Sequence, residues 1–195
     1  MQRRQFLRSV LTTAAAGSMA AVCASPQLLF AQSAASRTPD VIFVPTPNEV
    51  VDLMLKMAGV TGKDVVYDLG SGDGRIPITA AQRYGARGVG IDINPVRIQE
   101  ARANAKAARV EDKVRFIEGD LFEANISEAT VVTLYLLNTL NVKLRPKLLT
   151  ELKPGTRVVS HAFHMGDWKP EKTDSVQGSE VFLWRVPGKP AAGKS

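Results

Sequence analysis

Two carboxylates and three alternate glycines share one short stretch, Asp68-Leu-Gly70-Ser-Gly72-Asp73-Gly74-Arg75. Glycine admits φ > 0 and lets a ligand approach the main chain closely. A turn of this kind between a strand and a helix serves several nucleotide-binding folds, so the acids carry the discrimination. The dinucleotide fingerprint G-x-G-x-x-G seats a pyrophosphate on a helix N-terminus. Here the third glycine comes one residue early, and Arg75 stands in its place. Asp68 and Asp73 would repel a pyrophosphate. They would attract a phosphate-free nucleoside bearing positive charge. S-adenosylmethionine (SAM), with its sulfonium and ammonium, has that charge pattern.

Other polar residues recur where a sheet would end its strands. Asp92 closes the run 86–92, followed by Ile93. It lies about twenty residues beyond the glycines, the spacing of a carboxylate that accepts ribose hydroxyls. A plain strand-end cap is the other reading. Asp120, followed by Leu121, closes the run 114–120, as a site acid or as a turn aspartate after Gly119. Tyr135 and Asn138 end the apolar run 130–137, either orienting a nucleophile or serving as a core tyrosine and a helix cap. His161, His164 and Asp167 match no metal-ligand spacing, and strand alternation points the histidines apart, so no metal is expected. A loop histidine beside an acceptor would still titrate near neutrality.

The elements that must position these groups follow from periodicity. Val65, Val66, Tyr67 and Leu69 form a core strand, and a helix opens at Ile76 with Pro77 in its first turn. Thr46 and Glu49 have capping-box spacing, with Pro47 between them; Val50, Leu53, Met54 and Met57 then share a face. Asn94-Pro95 starts a helix reaching about Arg109, with Ile98, Ala101, Ala105 and Ala108 inward and Arg97, Arg102 and Lys106 solvated. A helix over 141–152 is bent or begun at Pro146. A fifth strand spans 156–163, and a last one over 181–186 pairs antiparallel with residues around 174–177. Open α/β sheets bind ligands at the carboxyl ends of their strands, where Asp68, Asp92 and Asp120 all fall.

The stretch 68–75 resembles the first motif of class I SAM-dependent methyltransferases, and the likeness extends from about Val44 to Val186. It is closest to the seven-strand protein-lysine methyltransferase subgroup, of the Dot1 type and the enzyme acting on the ATP synthase c subunit. The resemblance implies a single α/β, Rossmann-like domain with a mostly parallel seven-stranded sheet and helices on both faces. It implies SAM as cofactor, bound by Asp68, Gly70, Gly72, Gly74, Asp92, Ile93, Asp120 and Leu121. In such enzymes the acid at Asp120 meets the adenine amino group, and the segment before the first helix helps wall the acceptor site, which points to Thr46. Tyr135 and Asn138 complete the acceptor candidates. Enzymes acting on base or glutamine amino groups usually carry [N/D]-P-P-[Y/F] after this strand; Asn138-Thr-Leu does not match it, which argues against those acceptors. The implied activity is methyl transfer to a nucleophilic acceptor, a protein lysine or a small molecule, with no catalytic base assigned. The alternative is a non-catalytic SAM- or nucleoside-binding module of the same fold. A nucleotide-dependent oxidoreductase is disfavoured by Asp68 and Arg75.

The N-terminal residues read separately. Gln2-Arg3-Arg4-Gln5-Phe6-Leu7-Arg8 resembles a twin-arginine export signal, followed by a mildly apolar run over 10–24. Small residues suit cleavage between 31 and 35. The reading is a signal over 1–35, a methyltransferase domain over 36–187 and a solvated tail over 188–195. The partner implied is the twin-arginine export machinery, and the location periplasmic; an uncleaved membrane anchor is the alternative, against which the run is short for the ~20 residues of a span. Cleavage removes three arginines and no acid, taking the net charge from +6 to +3, and it removes Cys23, the only cysteine. That balance lacks the basic stripe of a nucleic-acid binder.

Overall fold

The computed structural model describes residues 43–188. The segment read as an export signal and the last residues of the tail lie outside them. The elements in order are α1 (Asn48–Met57), β1 (Val65–Leu69), α2 (Arg75–Tyr84), β2 (Arg87–Asp92), α3 (Pro95–Ala107), β3 (Val114–Glu118), β4 (Val131–Leu134), α4 (Asn138–Glu151), β5 (Arg157–His161), β6 (Lys172–Val176) and β7 (Ser179–Arg185). They build one seven-stranded sheet, ordered β3-β2-β1-β4-β5-β7-β6. The five strands β1 to β5 run parallel, and β7 is antiparallel to both β5 and β6. The expected open α/β sheet, with helices on both faces, is therefore the observed one.

The pleat sorts the core into two layers. Val65, Tyr67 and Leu69 face Leu144 and Leu148 of α4, together with Phe182 and Trp184. Val66, between them, faces the other way, onto Val50, Met54, Ile76 and Ala80 of α1 and α2. Both faces of β1 are covered, which is why it reads as an unbroken apolar run. The strand order reverses between β2-β1 and β4-β5, and a ligand crevice opens at such a switch point.

Several local expectations are corrected. No capping box forms: the N-cap of α1 is Pro47, with no side chain bonding to the helix end. Thr46 is instead turned inward and buried. The buried stripe of α1 is Val50, Val51, Met54 and Leu55, while Leu53 and Met57 are half-buried. The fourth strand ends at Leu134, three residues early, so Tyr135 leaves the sheet at its carboxyl edge. The helix after it begins at Asn138, not Asn141, and passes through Pro146. Asn94 does cap α3 as expected, its side chain accepting from Val96 N at 2.9 Å. Arg102 is not simply solvated; its guanidinium donates to Phe116 O at 2.9 Å.

Candidate active site

The site grows out of the turn between β1 and α2. Gly70 N and Ser71 N both donate to Ile91 O, at 2.8 and 3.0 Å, which ties the turn to the end of β2. Gly70, Gly72 and Gly74 have φ of 86°, 51° and 80°. Glycine is needed at Gly72 for a second reason: a Cβ there would lie 2.1 Å from the Phe43 ring, which packs directly on the turn. Gly74 packs on the opposite side, against Phe116 and Ala101.

A cavity lies above the turn. Of the candidate residues, Thr46, Asp68, Gly70, Asp92, Ile93, Asp120, Leu121 and Tyr135 line it. Gly72 and Gly74 shape the turn without lining the cavity, and Asn138 is not on its wall. Asn138 Oδ1 instead accepts from His164 N at 2.7 Å. Ser71 of the glycine motif also lines the cavity, as do Phe43, Arg97, Phe122, Leu136, Leu140 and Lys143, which carry no motif that singles them out. Arg97, expected to be solvated, stands over the Phe43 ring at 4.9 Å. Lys143 Nζ sits 4.2 Å over the Phe122 ring.

The acids differ in state. Asp68 is 4% exposed and accepts a hydrogen bond from Thr133 Oγ1 at 2.7 Å. Burial pushes its carboxyl up to about 7; the Thr133 bond opposes the rise, and the charges of Asp92 and Asp73 add to it. Asp92 is held by two main-chain donors, Gly72 N at 2.8 Å on Oδ2 and Asn94 N at 2.9 Å on Oδ1. A carboxylate has about four acceptor sites, so such an anchored group can still accept a diol. Asp120 Oδ1 accepts from Phe122 N at 2.8 Å. Asp73 does not act as a free anion. Arg75 grips it with Nε at 3.0 Å on Oδ1 and Nη2 at 2.6 Å on Oδ2, then donates Nη1 to Thr46 O at 2.8 Å. The attraction for a cation thus rests on Asp68 and Asp92, and Arg75 joins the glycine turn to the segment before α1.

The donor set fits SAM. Backbone amides and two carboxylates without a basic partner suit an ammonium and a ribose, and the cavity wall includes Ser71, whose buried Oγ has no partner among the described residues. No cluster of His, Cys, Asp or Glu among the described residues could hold a metal ion. His161 and His164 do point to different neighbours. The His161 ring stacks on Tyr135 at 3.9 Å, and the His164 ring lies 4.1 Å from Phe182. Burial lowers the His161 pKa, disfavouring the charged ring.

Known proteins resemble this chain in sequence and fold. Residues 68–172 match the family model described as the ANTKMT methyltransferase domain. A protein-lysine N-methyltransferase of Saccharolobus islandicus is 50% identical over 147 residues, covering 75% of this chain and 91% of that one. The adenine nucleotide translocase lysine N-methyltransferase of Mus musculus is 34% identical over 181 residues, covering 88% of this chain and 77% of that one. Among solved structures, one described as an RNA methyltransferase from Salinibacter ruber, in complex with S-adenosyl-L-homocysteine, is 57% identical. It superposes with a TM-score of 0.74 over 78% of this chain and 99% of that one.

Proposed function

Because the chain belongs to the ANTKMT methyltransferase domain family and is a SAM-dependent methyltransferase, we propose that its acceptor is the side-chain amine of a protein lysine. The observation that carries this reading is the part of the cavity wall made by Tyr135, Leu136 and Leu140, in a lining that also holds Asp68 and Thr46. That wall is largely apolar and aromatic, and the stretch 135–138 lacks the turn that presents paired polar groups to a base or an amide. An alkylamine fits it, whereas a nucleobase edge would leave its donors and acceptors unmatched. The lysine-methylating relatives support the same choice; the RNA described for the Salinibacter ruber structure is the competing acceptor.

Bound in the cavity, SAM supplies a methyl group on a sulfonium, a good leaving group for in-line displacement. The chain's residues do the rest. Asp68 and the turn amides would hold the amino-acid end, Asp92 would accept the ribose hydroxyls, and Asp120 with Leu121 and Ile93 would flank the base. Gly72 and Gly74 serve by shaping the turn. Tyr135, Leu136 and Leu140 exclude water and align the acceptor nitrogen. A lysine entering this apolar slot loses hydration, which lowers its pKa toward the neutral, nucleophilic amine.

We also propose export by the twin-arginine route and a periplasmic site of action, on the strength of Arg3-Arg4 and the residues around them. That route carries folded proteins and would admit a chain with its cofactor in place. Fractionation of cells expressing the full chain, beside a variant with Arg3→Lys and Arg4→Lys, tests it: loss of export in the variant supports the route, and equal cytoplasmic retention of both overturns it.

The acceptor is tested with the purified chain, labelled SAM and two pools, envelope protein and total RNA. Label on lysine of a protein, abolished by Asp68→Ala, is the expected result. Label on RNA alone would overturn the lysine reading.

A further inference from the structure

Tyr135 is unusually well supported for a residue just outside a strand. Its ring stacks on His161 at 3.9 Å and 27°, and lies 5.9 Å from Phe163 at 29°. Both partners come from one sharp turn. Phe163 N donates to His161 O at 2.8 Å, closing a three-residue loop around Ala162. Ala162 has φ 61°, a value that a residue with a Cβ adopts only at a cost in strain. Strain of this kind persists where the surroundings over-determine it, and it gathers at functional sites.

The surroundings here are specific. Ala162 N donates to Glu180 O at 2.8 Å, fixing the turn from the β7 side. Asn141, fully buried in α4, donates Nδ2 to Ser160 Oγ at 3.2 Å and to Phe163 O at 3.3 Å. Asn138, one helical turn earlier, accepts from His164 N at 2.7 Å. The first turn of α4 thus grips the turn over 160–164 at three points. Tyr135 is held beside it and still lines the cavity.

We propose that this strained turn exists to hold Tyr135 still, and that Tyr135, so held, is the wall along which the acceptor's alkylamine chain is aligned. His161 is a positioning residue: it acts through the Tyr135 ring and does not touch the substrate. The inference rests on the lysine reading above and deepens it. Its chemistry adds no step to the transfer. It sets the angle at which the amine nitrogen meets the methyl, and small errors in that angle cost rate without changing cofactor binding.

The test uses the full chain, tritiated SAM, poly-L-lysine and total RNA, with S-adenosylhomocysteine affinity measured on every variant. His161→Ala removes the stack; His161→Phe restores a ring in its place. The expected result is a loss of about tenfold or more in kcat/KM for poly-L-lysine in His161→Ala, with recovery to within about threefold in His161→Phe. S-adenosylhomocysteine affinity stays unchanged in both. Tyr135→Leu, which leaves the turn intact, should show the same loss and so keeps the test open if His161→Ala does not fold. Equal losses in the two His161 variants, or a parallel fall in S-adenosylhomocysteine affinity, would overturn the positioning role while leaving lysine as acceptor. Label on RNA and not on poly-L-lysine would overturn the lysine reading and the alkylamine alignment with it. A wild-type chain that binds S-adenosylhomocysteine and labels neither would overturn both.

Discussion

Thr133 stands opposite Asp68 in the β1–β4 ladder and donates its hydroxyl to the Asp68 carboxylate at 2.7 Å. That one bond opposes burial and two neighbouring negative charges, which together bring the Asp68 pKa to about 7. An acid whose folded pKa lies above its unfolded value of 3.8 costs stability once the unfolded chain ionises. The cost begins above about pH 4 and is complete above about pH 7. Asp68→Asn should therefore melt higher than the wild type at pH 8 and match it near pH 4. Thermal melts at the two pH values check this, and an equal difference at both would sink it.

In its proposed role at the amino-acid end of the cofactor, the same group sets the pH dependence of binding. A cofactor ammonium needs Asp68 ionised, so S-adenosylhomocysteine affinity should strengthen as pH rises through about 7, by up to tenfold per unit below it. Titration calorimetry over that range measures it, with about one proton released per ligand on the acid side. Asp68→Asn should bind weakly and lose the pH dependence.

Asp92 is anchored by Gly72 N and Asn94 N, which fixes its carboxylate for the proposed contact with a ribose. Asp92→Ala removes hydrogen bonds to a charged acceptor, each worth about 1.5–3 kcal/mol. S-adenosylhomocysteine affinity should fall at least tenfold. A binding isotherm matching the wild type would show that the ribose lies elsewhere.

Gly72 and Phe43 should behave as one unit. Gly72→Ala places a Cβ 2.1 Å from the Phe43 ring and also holds alanine at φ 51°. The clash is relieved in the double variant with Phe43→Ala, leaving about 1–2 kcal/mol from the backbone conformation alone. The cycle should thus be strongly non-additive in urea unfolding. Additive losses would mean that Phe43 does not sit on the turn in solution.

Asp64 gives a control far from the cavity. It pairs with Arg157 and accepts from Thr130 Oγ1 at 2.7 Å and Thr61 N at 2.8 Å. Burial would raise its pKa, but the bonds from Thr130, Arg157 and Thr61 outweigh burial and lower it. Arg157 also donates Nη1 to Ala58 O at 2.9 Å, joining the end of α1 to the sheet. Asp64→Asn leaves Arg157 without its counter-charge and should lower the midpoint of urea unfolding. The S-adenosylhomocysteine affinity of the folded variant should not change.

Much of this is legible from residue types. The β-branched runs mark the strands, and Asp68, Asp92 and Asp120 fall where strands end, which is where the cavity opens. Tyr135 is legible as a polar group near the acceptor. Its support is not, because His161 and Phe163 arrive from the end of β5 through a turn at an alanine, a residue type that does not advertise positive φ. Phe43 and Arg97 escape a reading by period, because Phe43 meets Arg97 and the glycine turn only across long separations in sequence. Leu140 escapes it because the first turn of α4, 138–140, precedes the helix read over 141–152; Lys143 lies within that helix, but its residue type does not mark it as facing a cavity. Asp73 reads as a free anion in the sequence, since only the fold brings Arg75 into a bidentate grip on it.

The sheet ends on one side in β6, whose residues Lys172, Asp174 and their neighbours are mostly exposed, joined to β7 through Gln177 and Gly178 at φ 52° and 78°. An outer strand with open main-chain groups can template pairing with another molecule, and charges on it discourage that pairing. On the opposite rim, β3 carries Arg115 and Glu118 outward. Charged side chains thus stand on both outer strands, where they discourage edge-to-edge pairing of the sheet with a further strand.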